Sequence, residues 1–138
     1  MTDANLVLGR LDPSGFPAVF GPEGRSGLSI EAARIALAAL AEAMGAPGPE
    51  AAAEGFLAVA VEQMAQAVRR ISTERGFDPR EHALVAFGGA GPMHGSPIAR
   101  ELGMQRVLVP PAPGILCAFG QLVSDIRHDF SETHLRAH

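Results

Sequence analysis

The chain has 138 residues, and its 11 Arg, with no Lys, stand against 15 Asp and Glu, so the formal net charge is −4. A chain of this length can bury one hydrophobic core, and 47% apolar residues supply it without a disulfide or a structural metal. The acidic balance and only 7 aromatic residues, all Phe, argue against a nucleic-acid surface, because basic patches and stacking platforms are missing.

Membrane and secreted classes are also disfavoured. No apolar run approaches the ~20 residues of a membrane span, and the first residues lack the basic and apolar regions of a signal peptide. The single Cys cannot form an internal disulfide, so we expect a protein of the reducing cytoplasm. Without Lys, these residues hold neither a P-loop of the G-x-x-x-x-G-K type nor a Schiff-base nucleophile.

A short helix is predicted at the start of the sequence. Thr2 and Asp3 are typical capping residues, and residues 13–15, Pro-Ser-Gly, would break the helix. The apolar side chains that this helix would carry are Leu6, Leu8 and Leu11. Residues 12–27 are rich in Gly and Pro and have no hydrophobic period, so we predict a loop there.

Two longer helices are predicted next. Ser29 is suited to cap a helix that ends at Gly45, with Glu31 in its first turn. Residues 46–49 form a connector, and residues 50–76 have the clearest helical period of the sequence. The apolar residues with this spacing are Leu57, Ala60, Met64, Val68 and Ile71. We therefore expect two helices that can pack antiparallel.

The pattern changes after residue 79. Residues 83–87 form a continuous apolar run of strand length, and residues 106–109 form a second one. Between them, residues 93–102 fit a helix that ends at Gly103. Strand, helix and strand at this spacing predict a right-handed βαβ unit with two buried, parallel strands.

The last part of the sequence has weaker patterns. Residues 115–123 predict a helix around Cys117, whose thiol we expect to be an inert part of a core. Residues 126–130 alternate apolar and polar side chains and predict an edge strand. Five residues near the end of the sequence are of types that can ligate a metal: His128, Asp129, Glu132, His134 and His138. Their spacing fits neither H-x-x-x-H nor H-E-x-x-H, which favours a polar terminus over a metal site.

Residues 87–95, F-G-G-A-G-P-M-H-G, have the greatest chemical interest. Gly88, Gly89 and Gly91 lie at a predicted strand-to-helix corner, where glycines let the backbone approach a ligand. The following helix would offer unpaired N–H groups and a partial positive charge to a phosphate or nucleotide. The pattern is not the G-x-G-x-x-G fingerprint, so a tight turn beneath close helix–strand packing is an equally good interpretation.

His94 lies in the first turn of the same predicted helix. Its imidazole is a candidate ligand-binding group, although a lone His is more often a capping or core residue. Ser96 is rejected as a hydrolase nucleophile, because G-x-S-x-G is absent and Pro97 follows it directly.

Four segments of this sequence are found in the same order in one known family. They are T-D-A-N-L-V-L-G-R-L-D-P at 2–13, E-R-G-F-D-P-R at 74–80, L-V-A-F-G-G-A-G-P-M-H at 84–94, and P-P-A-P-G with S-D-I-R-H-D at 110–114 and 124–129. Together they resemble the hydantoinase A/oxoprolinase family over nearly the whole chain. The resemblance implies an α/β fragment of an actin-like (ribonuclease H-like) ATPase domain, with a mainly helical part at 1–76 and a βαβ nucleotide-binding part at 77–138.

The resemblance also implies an activity. Members open cyclic amides such as hydantoins and 5-oxoproline with ATP, and Mg²⁺ would assist the phosphoryl transfer. The residues implied at the nucleotide cleft are Gly88, Gly89, Gly91, His94, Asp3 and Asn5. The implied partners are an adenine nucleotide, a cyclic amide and a companion subunit or domain of the hydantoinase B type.

Family members are several times longer, and their phosphate motifs of the D-x-G-G-T kind precede the segment at 2–13. We therefore expect an internal fragment that is inactive alone, with catalytic residues outside it. Two alternatives stay open, a non-catalytic subunit-interaction module and a subunit of a related ATP-dependent ketone carboxylase.

Overall fold

The computed structural model describes residues 1–21 and 23–132. Its helices are α1 (Thr2–Val7), α2 (Ile30–Met44), α3 (Pro49–Glu74), α4 (Gly91–Leu102) and α5 (Leu116–Val123). Its strands are β1 (Ala83–Val85) and β2 (Arg106–Leu108), and short 3₁₀ turns occur at Pro13–Gly15, Pro79–Glu81 and Pro113–Ile115. The architecture is α/β, as predicted.

The first helix is shorter than the sequence indicated. Met1 occupies the N-cap, so Thr2 and Asp3 lie in the first turn and do not cap it. The helix ends at Val7, because Leu8 leaves helical geometry and Gly9 adopts a φ of +64°. Leu8 and Leu11 therefore pack from outside the helix.

The two longer helices confirm their predicted signals. The Ser29 hydroxyl accepts a hydrogen bond from the Ala32 N–H at 3.1 Å, and Gly45 ends α2 in the left-handed conformation with φ +69°. Helices α1, α2 and α3 enclose one core of small and aliphatic side chains, whose buried members are Ala4, Leu6, Val7, Ala33, Leu37, Ala53 and Leu57.

The βαβ unit is present. Strand β1 pairs with β2 in parallel register, Leu84 opposite Val107, and α4 forms the crossover between them. Helix α4 begins two residues earlier than predicted, at Gly91, and Gly103 ends it with φ +69°. Its apolar face packs on the second half of α3 through Ala65, Ile98 and Leu102. Helix α3 thus contributes to this second core as well as to the core that it forms with α1 and α2. The predicted boundary at residue 76, between a mainly helical part and a nucleotide-binding part, therefore stays a prediction.

The two strands are not buried on both faces, and that expectation was wrong. Leu84 packs toward α3 and α4, whereas Val85 is 49% exposed and Leu108 is 56% exposed on the other face. Parallel sheets are ordinarily covered on both faces. The described residues therefore leave one face of this sheet without a covering layer.

The C-terminal segment differs most from expectation. Helix α5 is present, but Cys117 is exposed, so the prediction of a core thiol was wrong. Residues 126–130 form no strand, and the edge-strand prediction was wrong: in the described part of the chain the sheet consists of β1 and β2. His134 and His138 lie outside the described residues. Among residues 1–21 and 23–132, no three His, Cys, Asp or Glu side chains are placed to hold a metal ion.

Within residues 1–21 and 23–132, no helix combines the length and the apolar character that a membrane span requires.

Candidate functional site

The glycine corner, residues 88–91, joins β1 to α4. The Ala86 N–H donates to the Leu108 carbonyl at 2.9 Å, which extends the sheet by one bond beyond Val85. Gly88 then turns the chain with φ +87°, a conformation that L residues rarely adopt, and its N–H donates to the Pro113 carbonyl at 2.8 Å. The amide of Gly88 is therefore occupied by the protein itself.

Three successive amides at this corner have no hydrogen-bond partner among the described residues. Within the described part of the chain, no hydrogen bond satisfies the N–H groups of Gly89, Ala90 and Gly91. They lie at the start of the 12-residue helix α4, where the helix dipole adds a partial positive charge. An ideal Cβ at Gly89 would meet no heavy atom within 4 Å, so the corner is open. This geometry suits an anionic oxygen.

The two interpretations of the glycines concern different residues. Gly89 has open space, as ligand approach requires, whereas a Cβ at Gly95 would lie 3.0 Å from the Ala86 Cβ and 3.1 Å from Val107 Cγ1. Close packing of α4 on the sheet therefore depends on Gly95, which the sequence analysis did not single out. Its spacing of four from Gly91 was the available signal, because such residues share one helix face.

His94 and Asn5 line the same groove, which has a volume of ≈ 580 Å³ and lies between α1, α3 and α4. Their side chains come from helices far apart in sequence, and the packing of α1 and α4 against α3 brings them together. Other residues line the groove with apolar or charged side chains: Arg10, Glu54, Leu57, Ala58, Val61, Glu62, Met93, Pro97, Arg100 and Glu101.

The two polar side chains in this groove are buried. Asn5 is 2% exposed, and its Nδ2 donates to the Met1 carbonyl at 3.0 Å. His94 is 9% exposed, and neither ring nitrogen has a hydrogen-bond partner in the described part of the chain. The His94 ring thus differs from an ordinary capping or core imidazole, which is normally satisfied by the protein.

The remaining predicted site residues lie elsewhere. Gly91 borders a small pocket of ≈ 150 Å³ between β1 and α4, which His94 does not line. Asp3 is exposed on α1 and does not line the groove with Asn5. The structure therefore brings together His94 and Asn5 in the groove, and separately the three glycines at the corner.

The segment F-D-P-R has a structural role before β1. The Asp78 carboxylate accepts from the Arg80 backbone N–H at 2.9 Å and forms an ion pair with the Arg80 guanidinium at 2.6 Å. The side-chain and backbone hydrogen bonds from Arg80 lower the pKa of Asp78 to about 2. This contact fixes the 3₁₀ turn that leads into the strand.

Comparison with known proteins agrees with this architecture. Residues 1–130 match the sequence model of the hydantoinase/oxoprolinase family. The chain belongs to this family. Its relatives include 5-oxoprolinase 1 of Arabidopsis thaliana, 40% identical over 97% of this chain and 12% of the plant protein. The caprolactamase subunit alpha of Pseudomonas jessenii is 43% identical over 94% of this chain and 18% of the subunit.

Two solved structures of family relatives share the fold. The ATP-dependent caprolactamase from Pseudomonas jessenii superposes with a TM-score of 0.73 and 43% identity, covering 92% of this chain and 18% of the other. A nucleotide-free acetone carboxylase, from work on ATP-dependent acetone carboxylation, also has a TM-score of 0.73, at 28% identity over 86% of this chain and 16% of the other. The hydantoinase/oxoprolinase chain described here thus spans less than a fifth of the length of these relatives.

Proposed function

We propose that this chain is part of an ATP-dependent enzyme that hydrolyses cyclic amides, and that it contributes the glycine corner to the nucleotide-binding cleft. The observation that carries the proposal is the set of three unpartnered amides at the start of α4, in a chain whose relatives include ATP-dependent enzymes. The actin-like fold and the assignment of residues 77–138 to nucleotide binding belong to the same proposal.

The amide groups of Gly89, Ala90 and Gly91 supply the chemistry for holding a phosphate. They provide fixed N–H donors that need no reorganisation when an anionic oxygen arrives, and the α4 dipole adds to their attraction. Gly89 keeps the approach free of side-chain atoms. When bound, ATP would supply a phosphoryl group to the ring carbonyl oxygen, and this would make the amide carbon susceptible to attack by water with cleavage of the C–N bond.

Mg²⁺ is expected from the chemistry of phosphoryl transfer. The described residues contain no cluster of carboxylate or imidazole ligands for it, and Asp3 is an isolated exposed carboxylate. We therefore assign no metal-dependent step to this chain. A metal site, with the catalytic residues, would be supplied by other parts of a protein of the relatives' length.

A cyclic amide is favoured as substrate over a ketone. The caprolactamase is 43% identical to this chain, whereas the acetone carboxylase is 28% identical. Hydantoins, 5-oxoproline and other lactams all contain the same reacting amide, so the proposal names the class. ATP-dependent ketone carboxylation is the second candidate, because an acetone carboxylase shares the fold at a TM-score of 0.73.

A companion subunit or domain of the hydantoinase B type is proposed as partner, since the caprolactamase relative is named as a subunit alpha. A cytoplasmic location is proposed because the one Cys has no disulfide partner in the sequence. The alternative of a non-catalytic interaction module is supported by the exposed apolar side chains of α5, including Phe119 and Leu122.

Thermal melts of the chain with and without ATP and Mg²⁺ test the nucleotide proposal. We expect ATP to raise the melting temperature of wild type and not that of Gly89→Ala, while both melt at the same temperature without ATP. Gly55→Ala is the matched control, because its Cβ also meets open space but lies on α3, away from the corner. An undiminished ATP-induced rise in Gly89→Ala would reject the proposal.

A further inference from the structure

The groove between α1, α3 and α4 has the composition of a small-molecule site. Leu57, Val61, Met93 and Pro97 provide apolar surface, and Asn5 and His94 are its buried polar groups. Its volume of ≈ 580 Å³ falls in the range of small-molecule pockets. The groove is separate from the sheet-side pocket that contains Gly91.

The unsatisfied hydrogen-bonding capacity of this groove includes both donors and acceptors. The Asn5 side chain uses one N–H for the Met1 carbonyl, which leaves its Oδ1 and its second N–H without a partner in the described residues. A neutral His94 ring adds one donor and one acceptor. In the described residues, every side-chain N or O that is sealed from solvent has a hydrogen-bond partner. The unpaired atoms of Asn5 and His94 are therefore not sealed, and a ligand in the groove can reach them.

The charges around the groove disfavour an anion. Its two guanidinium groups, Arg10 and Arg100, do not outnumber the three carboxylates of Glu54, Glu62 and Glu101. The lining therefore offers no net positive charge for a phosphate or a carboxylate. A phosphate fits the amides of the glycine corner better, and the groove fits a neutral ligand with an apolar body.

We propose that this groove binds a neutral ring whose edge presents an N–H donor beside a carbonyl or imine acceptor, with Asn5 and His94 as the recognising side chains. The inference rests on the proposed function, which supplies two candidate ligands with such a ring. They are the cyclic amide itself and the base of the adenine nucleotide. In both cases the ring faces lie against Leu57, Val61 and Met93, and the polar edge meets Asn5 and His94.

NMR titration of the ¹⁵N-labelled 138-residue chain tests this directly. The probes are ε-caprolactam and adenosine, and the signals are the Asn5 side-chain amide and the His94 ring nitrogens. The matched control ligands are N-methyl-ε-caprolactam and N6,N6-dimethyladenosine, which lack the amide or amino donor. We expect saturable shifts with one parent probe, and binding about tenfold weaker with its methylated form, because one buried hydrogen bond is lost.

The titration distinguishes the cyclic amide from the adenine base as the ligand of the groove. Saturable shifts with ε-caprolactam assign the groove to the cyclic amide, and shifts with adenosine assign it to the base. Equal affinity for a parent probe and its methylated form, or no binding of either parent, overturns the inference. Because the ligand controls use the wild-type chain, the test does not depend on a variant that folds.

A variant pair gives the second readout. His94→Leu should weaken binding of the parent probe about tenfold, whereas His128→Leu, the same exchange at an exposed residue that does not line the groove, should leave it unchanged. Parallel thermal melts with ATP distinguish this inference from the proposed nucleotide role of the glycine corner. An ATP-induced rise in melting temperature without ligand binding in the groove rejects this inference alone. Groove binding without an ATP-induced rise rejects the nucleotide role of the glycine corner alone.

Discussion

Gly88, Gly89 and Gly95 have different physical requirements. Gly88 needs a positive φ, Gly95 lies against Ala86 and Val107, and Gly89 has neither constraint. We expect Gly88→Ala to lower the free energy of unfolding by about 1–2 kcal/mol through backbone strain. Gly95→Ala should cost about 1–3 kcal/mol through overpacking between α4 and the sheet.

Chemical denaturation of the three alanine variants measures this difference. Gly89→Ala should retain wild-type stability, since its new Cβ meets no atom within 4 Å. A loss at Gly89 as large as that at Gly95 would mean that the fold itself requires Gly89, and the ligand interpretation of Gly89 would lose its structural support.

The contact between Asp78 and Arg80 predicts a specific response to acid. The folded-state pKa of Asp78, about 2, lies below its ordinary value of 3.8, so the carboxylate stabilises the fold above that ordinary value. This stabilisation is lost as the pH falls from 3.8 through about 2. The difference in melting temperature between wild type and Asp78→Asn should therefore shrink over this interval.

Asp125→Asn, a change to an exposed carboxylate beyond α5, is the control for that measurement. A wild-type advantage over Asp78→Asn that persists unchanged at pH 2 would show that the ion pair does not stabilise the turn before β1.

Helix α3 contains a glycine that its packing does not require. Gly55 is exposed within the 26-residue helix, and a Cβ there would meet no atom within 4 Å. Gly55→Ala should raise the free energy of unfolding by about 0.5–1 kcal/mol, because Ala loses less backbone entropy in a helix. Urea denaturation measures it, and a decrease in stability would mean that α3 is not a regular helix at this position.

The helices were predictable because their signals are local. Ser29, Gly45 and Gly103 mark helix ends through caps and turns that involve only a few neighbouring residues. The apolar repeat of α3 identified most of its buried face, since Leu57 is buried and Met64 and Val68 pack on the second core. Ile71, which the same repeat placed on that face, is 56% exposed, so the prediction was wrong at this residue. The parallel pairing followed from the strand–helix–strand order.

The groove and the C-terminal region were not predictable in the same way. Asn5 and His94 meet only because α1 and α4 both pack on α3, which no local pattern encodes. The alternating residues 126–130 resemble a strand, but a strand also requires a neighbour to pair with. Burial of Cys117 similarly depended on a covering layer that the described residues lack.

The exposed apolar surface of the whole chain predicts self-association. One sheet face presents Val85 and Leu108, and the last helix and segment present Phe119, Leu122 and Phe130. Exposed apolar side chains, together with the open edges of a two-stranded sheet, promote association in water. Light scattering at tens of micromolar should detect a dimer or larger species, and a compact monomer with a cooperative melt would show that the chain is self-sufficient.

The chain alone should also show no ATP-dependent opening of hydantoin or 5-oxoproline. Its described residues contain no metal-ligand cluster, and phosphoryl transfer requires groups on both sides of a cleft. Product analysis by chromatography, against a blank without protein, measures this. Turnover above the blank would place the complete catalytic machinery within these 138 residues.

The most direct measurement is caprolactam-dependent ATP hydrolysis by a chimera of the Pseudomonas jessenii caprolactamase, in which residues 1–130 of this chain replace the matching segment. The 43% identity and shared fold make that exchange feasible. We expect the chimera to hydrolyse ATP, and Gly89→Ala within it to abolish this activity while Gly55→Ala does not. Equal ATP hydrolysis by the Gly89→Ala and Gly55→Ala chimeras would contradict a nucleotide-binding role for the glycine corner.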